Sequence, residues 1–441
     1  MIYLSPDFLW NVTKKGRRRN LNEKKNLSAL PKILLIAAIL MLGLIGFGVS
    51  KRENLQRMWN VYTFFDEDKR IENFHRMDRI MPARTIHHAG PAFQFQRNET
   101  ELNPFYIFNG ESKKVDDFLA ETITTGLLVV KDDIIVTERY FHGVSKDSLC
   151  TSMSVAKSFV SALVGIAIDD GLIAGVEKAI TDYVPKLKGS GYEGVPIKHV
   201  LQMSSGVKFN EEYDNQSSDI NTMFLKIFGL GQPIDDYMAK IRPEFPSGTT
   251  SYYRSCDTQA LGMLISAVTG KSVSTYLEEK IWSKIGMEHD AFWCTDLSGT
   301  ELSFAFLNAT VRDYARFGRL YLHNGNWNGS QIVSEKWVRE SVTPDDPNLQ
   351  PGPKPESYEI SFGNFGYQYQ WWIPEHSDGE FMAIGVWGQY IYVSPKDNLV
   401  IVKTSVDPHF ADNNYEHDEE TAAVCRAIAQ GLRSGGSAGT I

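Results

Sequence analysis

Apolar positions after Ser154 fall on a helical period. Val155, Phe159, Ala162, Leu163, Ile166 and Ile168 recur at three- and four-residue spacing, and Gly171 and Gly175 follow where a helix would stop. Upstream the pattern changes. Residues 126–131 and 134–140 are β-rich runs on either side of Asp132-Asp133, which predicts a hairpin. Residues 311–321 return to helical spacing through Tyr314, Phe317, Leu320 and Tyr321, and residues 324–329 make a turn. The stretch 348–356, with Pro351, Pro353 and Pro355, reads as a loop. Residues 365–404 read as strands, with a turn at Asp397-Asn398, and residues 422–432 as a last helix. The order is strands over 85–145, mostly helices over 150–345, then strands again. Both ends therefore feed one sheet. This predicts an α+β fold, an antiparallel sheet with flanking helices plus an inserted all-helical lobe.

The N-terminus follows another pattern. Residues 1–32 carry a net charge of +6, so the formal −9 of the 441-residue chain leaves −15 on the rest. An acidic main body argues against nucleic acid as a partner. Residues 33–49 hold no charged or strongly polar side chain, and Lys51 and Arg52 end the run. This is read as a transmembrane anchor, with a cleaved signal segment as its rival. The positive-inside rule then puts residues 1–32 in the cytoplasm. The expectation is a membrane-anchored protein with its main body extracytoplasmic, periplasmic or extracellular, or secreted if the segment is cleaved. Residues 50–84 are a connector, 85–432 the main folded unit and 433–441 a flexible tail. The 42% hydrophobic and 22% charged content suits a globular chain with a large core.

Candidate chemistry centres on Ser154-Val155-Ala156-Lys157. A serine and a lysine three apart on a helix share one face. A serine at a helix start also feels the positive end of the helix dipole, which favours alkoxide character. Downstream, Phe245-Pro246-Ser247-Gly248 runs into Tyr252-Tyr253-Arg254-Ser255 and an apolar helix. Later still, Gly385-Val386-Trp387-Gly388-Gln389 precedes a strand.

The order of hairpin, S-x-x-K helix, P-x-G turn, Y-x-S and late G-x-x-G-Q strand resembles the serine β-lactamase-like superfamily. Within it the chain looks closest to the class C β-lactamase-related esterases and the 6-aminohexanoate-dimer (nylon oligomer) hydrolases, over about residues 85 to 432. The resemblance implies a serine hydrolase cleaving small amides or esters through an acyl-enzyme, tethered here to the membrane by its N-terminal segment. It implies Ser154 as nucleophile, Lys157 and Tyr253 as proton-transfer partners, and the backbone N–H groups of Ser154 and Val386 as the oxyanion hole. Ser255, Tyr213 and Trp387 are the implied substrate contacts, with a helix N-cap as the other role for Ser255. Trp371, Trp372 and Tyr390 lie near the motifs and are read as core or as an acyl pocket. Two related readings use the same residues: a penicillin-binding D-amino-acid peptidase or β-lactamase, and a catalytically silent binding domain. The chain departs from true β-lactamases at two motifs. It has Tyr253-Arg254-Ser255 in place of Y-x-N, and Ala383-Ile384-Gly385 in place of K-T-G. Lys403-Thr404-Ser405 lies one strand later and is not the equivalent. The missing lysine removes the usual partner of a β-lactam carboxylate.

Other signals point away from other chemistry. Gly270-Lys271-Ser272 lacks the earlier glycine of a P-loop and reads as a helix stop followed by a new helix start. The histidines are scattered, with no H-E-x-x-H and no Cys/His cluster, so no metal and no cofactor is expected. No G-x-S-x-G elbow is present. The four cysteines, Cys150, Cys256, Cys294 and Cys425, are too few for a disulfide scaffold. Cys150 and Cys256 stand close in sequence to Ser154 and Tyr253. They read either as neighbours near the site or as two buried thiols.

Overall fold

Two β-rich runs that alternate between opposite faces build the centre of the molecule. In the computed structural model, which describes residues 59–60, 63–102, 105–353, 364–413 and 415–435, the run around Asp132-Asp133 folds as the expected hairpin. Its strands are Thr124–Lys131 and Ile134–Tyr140. Asp132 and Asp133 both take positive φ, as a tight two-residue turn between right-twisted strands requires. This hairpin lies within an eight-stranded sheet. From one edge the order is Gly366–Gln368, Trp371–Ile373, Phe381–Gly385, Gln389–Ser394, Leu399–Ser405, Thr124–Lys131, Ile134–Tyr140 and Gln96–Arg97. All neighbours are antiparallel except the last pair.

The central strands are apolar at almost every position because both faces are covered. Leu128, Val130, Ile391, Val393, Val400 and Val402 face one core, and Leu127, Val129, Tyr390, Tyr392, Leu399 and Ile401 the other. Helix Val311–Leu322 packs on the first face through Tyr314, Phe317, Leu320 and Tyr321. Gly318 lets it come close: a Cβ there would lie 2.7 Å from Val400 Cγ1. Helix Glu416–Gly435 covers the second face with Ala422, Val424, Cys425 and Ile428. This is the antiparallel α+β arrangement with flanking helices that the order of elements predicts.

In sequence, the helical lobe comes between the strands before Ser154 and those after residue 365, which pair directly with each other. Helix Ala156–Asp169 is buried on nearly every side and packs against helix Ser255–Thr269. Gly270 ends the latter with φ of 65°, and the Ser272 side chain accepts the Thr275 N–H to start the next helix, as read from the sequence. Within this stretch two short strands, Ala291–Cys294 and Leu307–Ala309, join Ala83–Ile86 and Cys150–Thr151 in a second, four-stranded sheet. All four cysteines are buried free thiols.

The expected membrane-anchored, extracytoplasmic location is corrected. Among the described residues no helix is long and apolar enough to cross a membrane. The run 33–49 on which that expectation stood lies outside the described residues.

Candidate active site

The second sheet and the buried helix together fix Ser154. Ser152 N–H donates to the Leu307 carbonyl at 2.7 Å, extending the pairing of Cys150–Thr151 with Leu307–Ala309. Tyr314 ties this corner by donating to the carbonyls of Cys150 and Leu307. Met153 then takes a φ of 41°, a left-handed conformation that costs free energy for a non-glycine residue. A short 3-10 turn over Met153–Val155 leads into helix Ala156–Asp169. Ser154 thus stands on a sharp strand-to-helix corner and is nearly buried.

Lys157 lies one turn on and is 2% exposed. Its Nζ is 2.9 Å from Ser154 Oγ, 3.1 Å from Ser255 Oγ and 2.8 Å from the Phe304 carbonyl. Burial pushes its pKa down to about 7, against the opposing pull of the Glu211 carboxylate. Near neutrality the amine can therefore lose its proton. Once that proton is lost, two N–H groups suffice for Ser255 and Phe304, which leaves the lone pair free to accept from Ser154.

Tyr253 shares a hydrogen bond with Ser154. Burial, and then the nearby Glu211 charge, hold its phenol well above the ordinary tyrosine range. Lys157 Nζ stands 4.9 Å from the centre of the Tyr253 ring. Tyr253 is thus protonated in the resting site. Trp372 stacks on the Tyr253 ring at 5.4 Å between ring centres.

Ser255 is the first residue of helix Ser255–Thr269, and the N-cap is Arg254. Its hydroxyl accepts from Lys157 and donates to Glu211 Oε1, while its backbone N–H donates to Glu211 Oε2. Tyr213 donates to the same carboxylate at 2.8 Å. Glu211 is therefore the hub of this side of the site. Burial raises its pKa, opposed by Lys157 and the hydrogen bonds of Ser255 and Tyr213.

The strand Phe381–Gly385 closes the other side. A Cβ on Gly385 would lie 2.6 Å from the Ser152 carbonyl oxygen and 2.9 Å from Ser154 N, so only glycine permits this approach. Val386 follows and lines a narrow pocket with Ser154, Tyr253, Trp372, Ile384, Phe410, Tyr415 and Asp418. Asp418 accepts from Tyr390 at 2.6 Å, and burial pushes its pKa up to about 7.

The structure brings Ser154, Lys157, Tyr253, Ser255 and Val386 together, with Tyr213 joined through Glu211. Trp387 is half-buried and stacks on Phe65 at 4.7 Å. Trp371 is a core residue, fully buried against Tyr321 and Phe381. Lys403 sits on Leu399–Ser405, buried and bonded to Ser405 Oγ at 2.7 Å, and does not line this pocket. Among the described residues no His, Cys, Asp and Glu cluster could hold a metal ion. Glu211 and Asp418 escaped the sequence reading. Glu211 had one signal, standing two residues before Tyr213. Asp418 had none, because acids in a helix's first turn ordinarily face water.

A Beta-lactamase family model matches residues 112–425. A 6-aminohexanoate-dimer hydrolase of Paenarthrobacter ureafaciens is 29% identical over 343 residues, covering 76% of this chain and 85% of that protein. The structure of a candidate 6-aminohexanoate-dimer hydrolase from Bacillus anthracis superposes with a TM-score of 0.75 at 25% identity, covering 84% of this chain and 96% of the other. A family VIII carboxylesterase shares the fold, with a TM-score of 0.52 at 18% identity over 71% of this chain and 96% of the other.

Proposed function

This chain belongs to the Beta-lactamase family and is a serine hydrolase of that kind, and on that premise we propose that it cleaves small amides or esters through an acyl-enzyme on Ser154. The observation that carries the reading is the buried Lys157 amine, with its pKa near 7, at 2.9 Å from Ser154 Oγ. Neutral Lys157 accepts the serine proton as Oγ bonds to the acyl carbon. The carbonyl oxygen takes up the negative charge and is met by the backbone N–H groups of Ser154 and Val386. The Tyr253 hydroxyl, bonded to Ser154, passes its proton to the leaving nitrogen or oxygen and takes the serine's proton in its place from the Lys157 ammonium. Water then attacks the acyl carbon by the reverse sequence and frees Ser154.

Ser255 and Glu211 position Lys157. Glu211 also keeps the buried amine from losing its proton too readily, so that it can pass the serine's proton on to Tyr253. The pocket wall supports uncharged acyl groups. Its side chains are largely aromatic and aliphatic, and its one carboxyl group, Asp418, opposes an anionic substrate.

The test is covalent labelling by a fluorophosphonate together with hydrolysis of a short-chain p-nitrophenyl ester. Wild type is expected to label and turn over, and Ser154→Ala to do neither while keeping a cooperative thermal transition. Full labelling of Ser154→Ala would overturn the assignment.

A further inference from the structure

The turn that carries Val386 is held from outside by residues that lie before the family-matched stretch. Trp387 follows Val386 and takes a φ of 66°, a conformation that a bulky residue keeps only when its surroundings enforce it. From below, its carbonyl accepts Gln389 Nε2 at 3.0 Å and the Asp407 N–H at 3.2 Å. From above, its indole is enclosed by aromatic rings. Phe65 stacks on it with planes 5° apart and centres 4.7 Å apart. Phe74 meets it edge-on at 5.7 Å, and the Arg70 guanidinium stands 5.8 Å from its centre. Phe410, which itself lines the Ser154 pocket, closes the remaining side at 5.2 Å. Phe64 stacks on Phe74 at 5.4 Å and anchors the cluster to the main core.

Phe65 is 48% exposed. An aromatic ring left half in water adds little to the core, yet it lies almost parallel over the residue next to the proposed oxyanion donor. We propose that Phe65 and Arg70 are positioning residues for the hydrolase reaction: they clamp Trp387 and so hold the Val386 backbone against the Ser154 pocket. The inference rests on the reading of Ser154 as nucleophile and Val386 as oxyanion donor. Neither Phe65 nor Arg70 lines the pocket, so both act through Trp387. A loosened donor weakens binding of the developing charge more than binding of the neutral ground state. The loss therefore belongs in kcat.

The experiment uses the full chain, a short-chain p-nitrophenyl ester, fluorophosphonate labelling and thermal unfolding. Four variants are compared with wild type: Phe65→Ala, Phe65→Leu, Phe65→Tyr and Ser154→Ala. Complete removal of an oxyanion donor costs about 10²–10³ in rate, so a displaced one is expected to cost roughly 5- to 30-fold. Phe65→Ala and Phe65→Leu should lose that much in kcat and in labelling rate, with KM and the melting temperature near wild type. Phe65→Tyr should restore kcat, because a phenol stacks as a phenyl ring does. Wild-type kcat in Phe65→Ala would overturn the clamp, as would equal kcat in Phe65→Leu and Phe65→Tyr. A loss of activity that merely tracks a lower melting temperature would also overturn it. Activity persisting in Ser154→Ala would instead remove the catalytic reading beneath it, whatever the Phe65 series shows.

Discussion

Glu211 grips Ser255 at two points, accepting its backbone N–H on one carboxylate oxygen and its hydroxyl on the other. Ser255 in turn accepts from Lys157 at 3.1 Å. A chain of hydrogen bonds therefore joins a half-buried acid to the amine that faces Ser154, and the acid's charge favours the ammonium form.

That linkage gives the first prediction, in pH. Lys157 acts as a base only when neutral, and its pKa lies near 7. Wild-type kcat/KM should therefore fall as pH drops through about 7 and level off above it. Glu211→Gln removes a negative charge that favours the ammonium, so the Lys157 pKa must fall and the acid limb must move to lower pH. The measurement is kcat/KM for a p-nitrophenyl ester between pH 5 and 9 in both proteins. A limb that stays in place, or moves to higher pH, would exclude this role for Glu211.

The second prediction concerns Gly385. A Cβ there meets the backbone at Ser152 and Ser154, which cannot yield as a flexible side chain would. Gly385→Ala should push the turn that carries Val386 away from the nucleophile and lower kcat/KM by about 10²-fold, the scale of losing one oxyanion donor. Thermal unfolding should stay cooperative. Near-wild-type kcat/KM in that variant would show that the two segments do not act together.

How far the site could be read from sequence depended on whether its signals were local. The hairpin at Asp132-Asp133, the helix after Ser154 and the stop at Gly270 each rest on neighbouring residues, and each formed where expected. The S-x-x-K spacing likewise placed Lys157 against Ser154. Glu211 was not legible because its partner Ser255 is 44 residues away. Glu212 beside it is exposed, so nothing local told the two acids apart. The strands Ala291–Cys294 and Leu307–Ala309 are too short to show a period, and their partners include the distant Ala83–Ile86 and Cys150–Thr151. Trp387 carries no local signal of its packing either, because the rings of Phe65, Phe74 and Phe410 that surround its indole are distant in sequence.

A third prediction tests the polar cluster behind the site for stability. His417 Nδ1 lies 2.7 Å from Asp407 Oδ2, and this hydrogen bond raises the histidine pKa. A raised folded-state pKa means that the stabilisation is complete below the unfolded value of about 6.5 and is lost as pH rises through the folded value. His417→Gln should therefore cost more stability at pH 5.5 than at pH 8.5, measured by urea unfolding at each pH. A cost that is the same at both would mean that the pair contributes no charge-dependent stability.

The last prediction concerns substrate charge. Where a penicillin-binding site has the lysine of K-T-G, this chain has Ala383, and Lys403 is committed to Ser405. A hydrogen bond to a charged group is worth about 1.5–3 kcal/mol, which is roughly one to two decades in binding. Asp418 adds to the loss. It lines the pocket, and with its pKa near 7 it is largely ionised at pH 8. An anionic substrate then meets a like charge in the pocket. The neutral p-nitrophenyl ester should be turned over with a much higher kcat/KM than nitrocefin, which carries a carboxylate. Asp418→Asn should narrow the gap at pH 8 by improving nitrocefin while leaving the neutral ester within about twofold, since only the charge term has changed. At pH 6, where the Asp418 carboxyl is mostly protonated, wild type and variant should converge. Equal kcat/KM for nitrocefin and the ester in wild type would mean that another cation does the work of the missing lysine. An Asp418→Asn variant that loses both substrates alike would make Asp418 a structural partner of Tyr390 and not a filter on charge.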